Sequence, residues 1–177
     1  MRIVPIFAVR LNAFHYDQED FDEVRRLFRD WQDPEFLEDF LTQNLQDLQS
    51  GFFGSITVER AITSTRAEAI RLEKELKNLS ENQHESLDNI FELLDNYTDD
   101  DFYRSKAKGD RQKSWLRIYA LKIDSNVYVV TGGAIKLTRS MQERDHTNRE
   151  LQKFERCRDY LHEQGITDID GFKELDL

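Results

Sequence analysis

The stretch SWLRIYALKIDSNVYVVTGGAIKLT, residues 114–138, most restricts what this chain can fold into. It is dense in β-branched and aromatic residues, and Asp124-Ser125-Asn126 supplies turn chemistry at its middle. A strand over 115–123, a second over Val127–Thr131, a bend or bulge at Gly132-Gly133 and a third strand over Ala134–Thr138 are predicted. The simplest arrangement of such neighbours is an antiparallel meander. Helical periodicity dominates elsewhere, so the expected class is α+β: a meander of about three or four strands packed against several N-terminal helices and one C-terminal helix.

The helices announce themselves by stripes and caps. Phe21, Val24, Phe28 and Trp31 share one helical face. Asp33 can cap the next helix, and Pro34 suits its first position, where a missing N–H costs nothing. That helix carries Leu37, Phe40, Leu41, Leu45 and Leu48 and should stop near Ser50-Gly51. GFFG (51–54) is a hinge whose aromatic pair either plugs the core or forms a partner-binding tip. A long helix follows from Thr57 to Asn82, with Ala69, Leu72, Leu76 and Leu79 in a heptad-like seam. A short helix with Leu87, Ile90, Phe91 and Leu94 precedes the acidic connection 95–103. At the other end, Thr147 and Glu150 have capping-box spacing. Leu151, Phe154, Cys157 and Leu161 form the buried stripe of the last helix, Arg149, Lys153 and Arg156 a basic one, and Gly165 ends it. RIVPIFAVRL (2–11) reads as a strand, at a sheet edge because Pro5 cannot donate.

Charge divides the chain. The net charge is −10, yet residues 102–158 hold 14 Lys and Arg against 6 acids, leaving −18 for the remainder. The division suggests an acidic, mainly helical region over 1–100 with an N-terminal strand. A basic meander with the C-terminal helix occupies 101–177, the two forming one compact domain. Such asymmetry fits either a patch for a polyanion or mutual neutralisation of the two parts. No apolar run spans a bilayer, the first ten residues are too short for a signal segment, and a single cysteine implies no internal disulfide. A cytoplasmic protein without membrane attachment is expected.

Most site chemistries lack their residues. No glycine pattern matches a phosphate loop. His15, His84, His146 and His162 are scattered, so no metal constellation forms, and Cys157 on an apolar stripe is packing. The basic group around the meander remains: Lys106, Lys108, Arg111 and Lys113 in the approach, Arg117 on the first strand, Lys136 on the third. Alternation puts Trp115, Arg117 and Tyr119 on one face. That face could stack bases and hold phosphates. The alternative is that both aromatics lie under the N-terminal helices while Arg117 pairs with an acid.

The order of helices, a basic loop, a strand of the form RIYAL (117–121), a hairpin, GAIKLT (133–138) and a final helix resembles the RelE/HigB superfamily of bacterial type II toxins over residues 104–164. Arg117 falls at the family's strand arginine and Lys136 at one lysine of its lysine pair; Leu137 replaces the second. The resemblance implies an mRNA endonuclease acting at the ribosome, needing no metal or other cofactor, and inhibited by an antitoxin, often a helix-turn-helix protein. In that scheme Arg117 and Lys136 stabilise the phosphate, Lys113 or a neighbouring lysine acts as base, and His146 serves as acid. Lys106, Lys108, Arg111, Arg149 and Lys153 would hold RNA, with Trp115 or Tyr119 stacking a base. The competing expectation is a non-enzymatic protein whose acidic helical half, through the 69–79 seam, binds a protein partner.

Overall fold

The computed structural model describes residues 1–8, 10–50, 53–94, 102–109, 114–138 and 144–175. The class is α+β, but the sheet is mixed and six-stranded, in the order β1-β2-β6-β5-β4-β3. It draws on both sides of residue 100. Strands β1 (Arg2–Ala8) and β2 (Leu11–His15) form a hairpin. As expected of its proline, β1 is an edge strand, with Pro5 opposite Asn12. Strands β3 (Glu92–Leu93), β4 (Tyr103–Lys108), β5 (Leu116–Asp124) and β6 (Val127–Ile135) pair antiparallel in succession. Strand β2 joins β6 in parallel, a pairing that needs the long helical crossover between them.

Helices cover both faces. On one lie α1 (Glu23–Gln32), α2 (Pro34–Gln43), the single turn α3 (Leu45–Leu48) and the long α4 (Val58–Glu81). On the other lie α5 (Asp145–Glu163) and the short α6 (Ile169–Lys173). Among the described residues no helix is long and apolar enough to cross a membrane.

Caps and stripes are the features that carry over best. Asp33 Oδ1 accepts from the Glu35 amide and Pro34 opens α2. Thr57 and Asn82 bound α4, as the seam required. That seam is not a free surface: Ala69, Leu72, Leu76 and Leu79 are buried in the core. Phe53 meets Trp115 edge-on at 5.2 Å, so this half of the GFFG pair is core packing; Gly51 and Phe52 lie outside the described residues.

Elsewhere tertiary contacts override local pattern. Phe21 precedes α1 and lies under the Arg29 guanidinium, with Leu27 in its place on the buried stripe. The helix expected to run to Ser50 breaks at Asn44, leaving Leu45 exposed. The expected helix over 87–94 is a 3-10 turn leading into β3, because Phe91 is drawn flat against Tyr128 at 4.4 Å. Gly132-Gly133 does not divide two strands. Strand β6 runs through both, with Tyr119 opposite Gly132 and Ala120 opposite Val130, so Thr131 is an inserted residue.

Arg10 clasps the C-terminal end of α4. Its guanidinium donates to the carbonyls of Leu79, Ser80, Asn82 and Glu85 at 2.7–3.1 Å. These include carbonyls that a helix end leaves unpaired, and a cation there also meets the helix dipole. Arg10→Met should lower stability by about 2–3 kcal/mol, read as a shift of the urea midpoint at constant slope. An unchanged midpoint would show that water replaces the clasp without cost.

Candidate active site

Register sorts the predicted residues onto two faces. Glu92, Lys106, Tyr119 and Gly132 are successive cross-strand partners, as are Lys108, Arg117 and Ala134. Lys106, Lys108 and Arg117 therefore share the α5 face, with Lys108 exposed and the other two half-buried. Arg117 donates to the carbonyls of Ser114 and Leu116 at 3.0 and 2.7 Å, and burial lowers its pKa. Arg111 and Lys113 lie outside the described residues.

Trp115 and Tyr119 do not project together. Trp115 is fully buried in the opposite core, where its indole donates to Thr65 Oγ1 at 2.9 Å. It precedes β5, so strand alternation does not govern it. Tyr119 is 1% exposed and packs on Phe154 at 5.8 Å. Neither ring is open to a base. Lys136 Nζ donates to Thr138 O at 2.9 Å, and its amide donates to Trp115 O, two residues along from the Arg117–Ala134 pair.

A cleft of about 630 Å³ forms instead at the C-terminal ends of the parallel strands β2 and β6. Their pairing ends at Ala13 opposite Val130, and β6 continues through Gly133, Ala134 and Ile135, which floor the cleft. Helix α5 lines it with His146, Arg149, Glu150, Lys153 and Arg156. The basic stripe read from spacing thus faces one cavity. The other walls come from Tyr16, from Glu23 and Arg26 of α1, and from Phe36 and Phe40 of α2.

Two carboxylates meet at its base. Glu23 is 1% and Glu150 7% exposed, and Lys153 Nζ joins them, 3.0 Å from Glu23 Oε2 and 3.1 Å from Glu150 Oε1. Gly132 makes this possible: a Cβ there would fall on Glu150 Oε2 and lie 3.2 Å from Glu23 Oε2. Glu150 is thereby diverted from the expected capping box, and α5 starts at Asp145 with Thr147 Oγ1 donating to Arg144 O.

The environments push the pair apart. Burial raises the Glu150 pKa above its ordinary 4.5, and Lys153 only partly opposes this. Its Oε2 is buried without a hydrogen-bond partner. Burial raises Glu23 too, but the paired bonds from Arg26 at 2.8 and 2.9 Å, with Lys153, outweigh it and hold that carboxyl below 4.5. Glu23 is thus the carboxylate and Glu150 the group that retains its proton more readily, a division that suits acid–base chemistry. His146 Nε2–H donates to Ile135 O at 3.1 Å, which leaves Nδ1 as the acceptor nitrogen.

The remaining groups hold the walls. Tyr16 donates to Thr131 O at 2.6 Å and lies 3.1 Å from Cys157 Sγ. Burial pushes that thiol up to about 12, so it stays a protonated packing group. Arg149 donates only weakly to Asp145 O at 3.4 Å, and Arg156 rests over the Tyr16 ring at 5.9 Å. Neither makes an ion pair among the described residues.

Glu23, Arg26 and Phe36 are not singled out by the sequence, and Glu150 only as a capping residue. A signal was there: Glu23 stands four before Leu27, and Glu150 four before Phe154, so both carboxylates fall on apolar stripes. Compared with family models, curated proteins and solved structures, the chain matches none of them.

Proposed function

We propose that the chain is an RNA endonuclease of the toxin type, working in the α5 cleft rather than through the strand residues alone. The observation that carries this is that one helix face presents three cations, Arg149, Lys153 and Arg156, together with His146 and Glu150. Arg149 and Arg156 hold the phosphodiester and stabilise charge growing on its oxygens. His146 Nδ1 takes the proton of the ribose 2′-hydroxyl. The 2′-oxygen forms its bond to phosphorus as the bond to the 5′-oxygen breaks, and Glu150 returns a proton to that leaving oxygen. The products are a 2′,3′-cyclic phosphate and a 5′-hydroxyl. Lys106, Lys108 and Arg117, outside the cleft lining but together on one sheet face, would add further phosphate contacts. An antitoxin partner would act by covering this cleft.

The interaction-protein alternative loses its main support, since the 69–79 seam is internal. The test is cleavage of an unstructured RNA by the purified chain. The wild type should cut, with binding that weakens steeply as salt rises. Arg149→Ala with Arg156→Ala should reduce cleavage about a hundredfold or more while the protein stays folded. Absence of cleavage by the wild type, or full activity in the double variant, would remove this function.

A further inference from the structure

The α2 wall of the cleft carries something the cleavage chemistry does not use. Phe36 and Phe40 lie one helical turn apart with rings nearly parallel, 6.3 Å between centroids and 15° between planes. Phe40 meets the His146 ring edge-on at 5.2 Å. All three line the cavity, and Phe36 keeps 38% of its surface exposed at the mouth. Exposed rings are ordinary, and Phe21 is as exposed as Phe36; what sets Phe36 apart is that its ring stacks with Phe40 in the lining of a polar cleft. The core of α2 is already supplied by Leu37 and Leu41.

We propose that Phe36 and Phe40 form a nucleobase-stacking subsite, the element that selects unpaired nucleotides over plain polyanion. This rests on the RNA function above and adds a specificity determinant to it. Flat rings favour a flat ligand, and stacking requires a base free of its helix. Acids also line this cavity, but Asp17 is paired with the N-terminal amine and Asp30 with Arg26 and Arg29, whereas Arg149 and Arg156 lack carboxylate partners among the described residues. The occupant that fits beside those two arginines is both aromatic and anionic. His146 and Arg149, in the lining of the same cleft, would then receive the sugar and phosphate of a base laid on Phe36. Trp115 and Tyr119, the aromatics that the strand pattern put forward for this task, are buried, whereas Phe36 is accessible.

The experiment uses the whole chain and two fluorescent probes. One is a 2′-O-methyl RNA hexamer, which cannot be cleaved because it lacks the attacking hydroxyl. The other is an abasic hexamer with the same phosphates. Wild type should bind the first more tightly. Phe36→Leu keeps apolar area but removes the ring, and should weaken binding of the 2′-O-methyl hexamer about tenfold while leaving the abasic probe unchanged. Phe36→Trp should restore or tighten it. Equal affinity of wild type for the two probes, or equal loss on both in Phe36→Leu, overturns the subsite while the phosphate-binding cleft stands. Failure of wild type to bind either probe overturns the RNA function and the subsite with it.

Discussion

Glu150→Gln should lower RNA cleavage at pH 7 by about 10²- to 10⁴-fold while leaving the fold at least as stable. Glutamine keeps the shape and can still accept from Lys153, but it has no proton to give the 5′-oxygen. The stability arm follows from linkage. Burial raises the folded pKa of Glu150 above 4.5, so its favourable contribution is complete below the unfolded value. That contribution is lost as pH rises through the folded pKa. A neutral amide avoids this loss, and its benefit should grow with pH across the same window. Wild-type cleavage should fall on the alkaline side as Glu150 loses its proton. Retained activity in Glu150→Gln, or a fold weakened at pH 7 and not at pH 4, would show that Glu150 serves as a structural carboxylate.

The second large effect is on stability. Lys153→Met should cost about 3 kcal/mol at pH 7, because it leaves two buried carboxyls without the cation between them. The figure is at the low end for breaking a buried pair, since Lys153 keeps 22% of its side chain in contact with solvent and Arg26 still serves Glu23. For a chain of this length it corresponds to a melting point lower by about 10 °C. The cost should shrink in two steps as pH falls, first as Glu150 takes up its proton above 4.5 and then as Glu23 does so below it, since neutral carboxyls need no counter-charge. Adding Glu150→Gln should recover part of the loss at pH 7, and the shortfall from additivity measures the coupling. A pH-independent loss would mean that the lysine acts through packing of its aliphatic stem or through its Nζ over the Tyr16 ring, 5.3 Å from the centroid, and not through the two carboxyls.

These sites differ in how far they could be read from residue order. The caps of α2 and α4 depend on atoms a few residues apart, so Asp33, Pro34, Thr57 and Asn82 mark boundaries that the structure keeps. Edge placement of β1 likewise follows from one missing N–H at Pro5. The stripe Arg149, Lys153, Arg156 was legible for the same reason: helical period alone puts those residues on one side of α5.

The chain's own order therefore settled the α+β class, most helices and the clustering of cations toward its C-terminal part, all through interactions spanning a turn or a strand. Folding in space settled which cations meet carboxylates, which aromatics stay wet, and where the cleft opens. Strand β2 reaches β6 across more than a hundred residues, and Glu23 meets Lys153 across 130. No periodicity reports such a contact. The missing side chain of Gly132 then lets two acids share a space that any other residue would occupy.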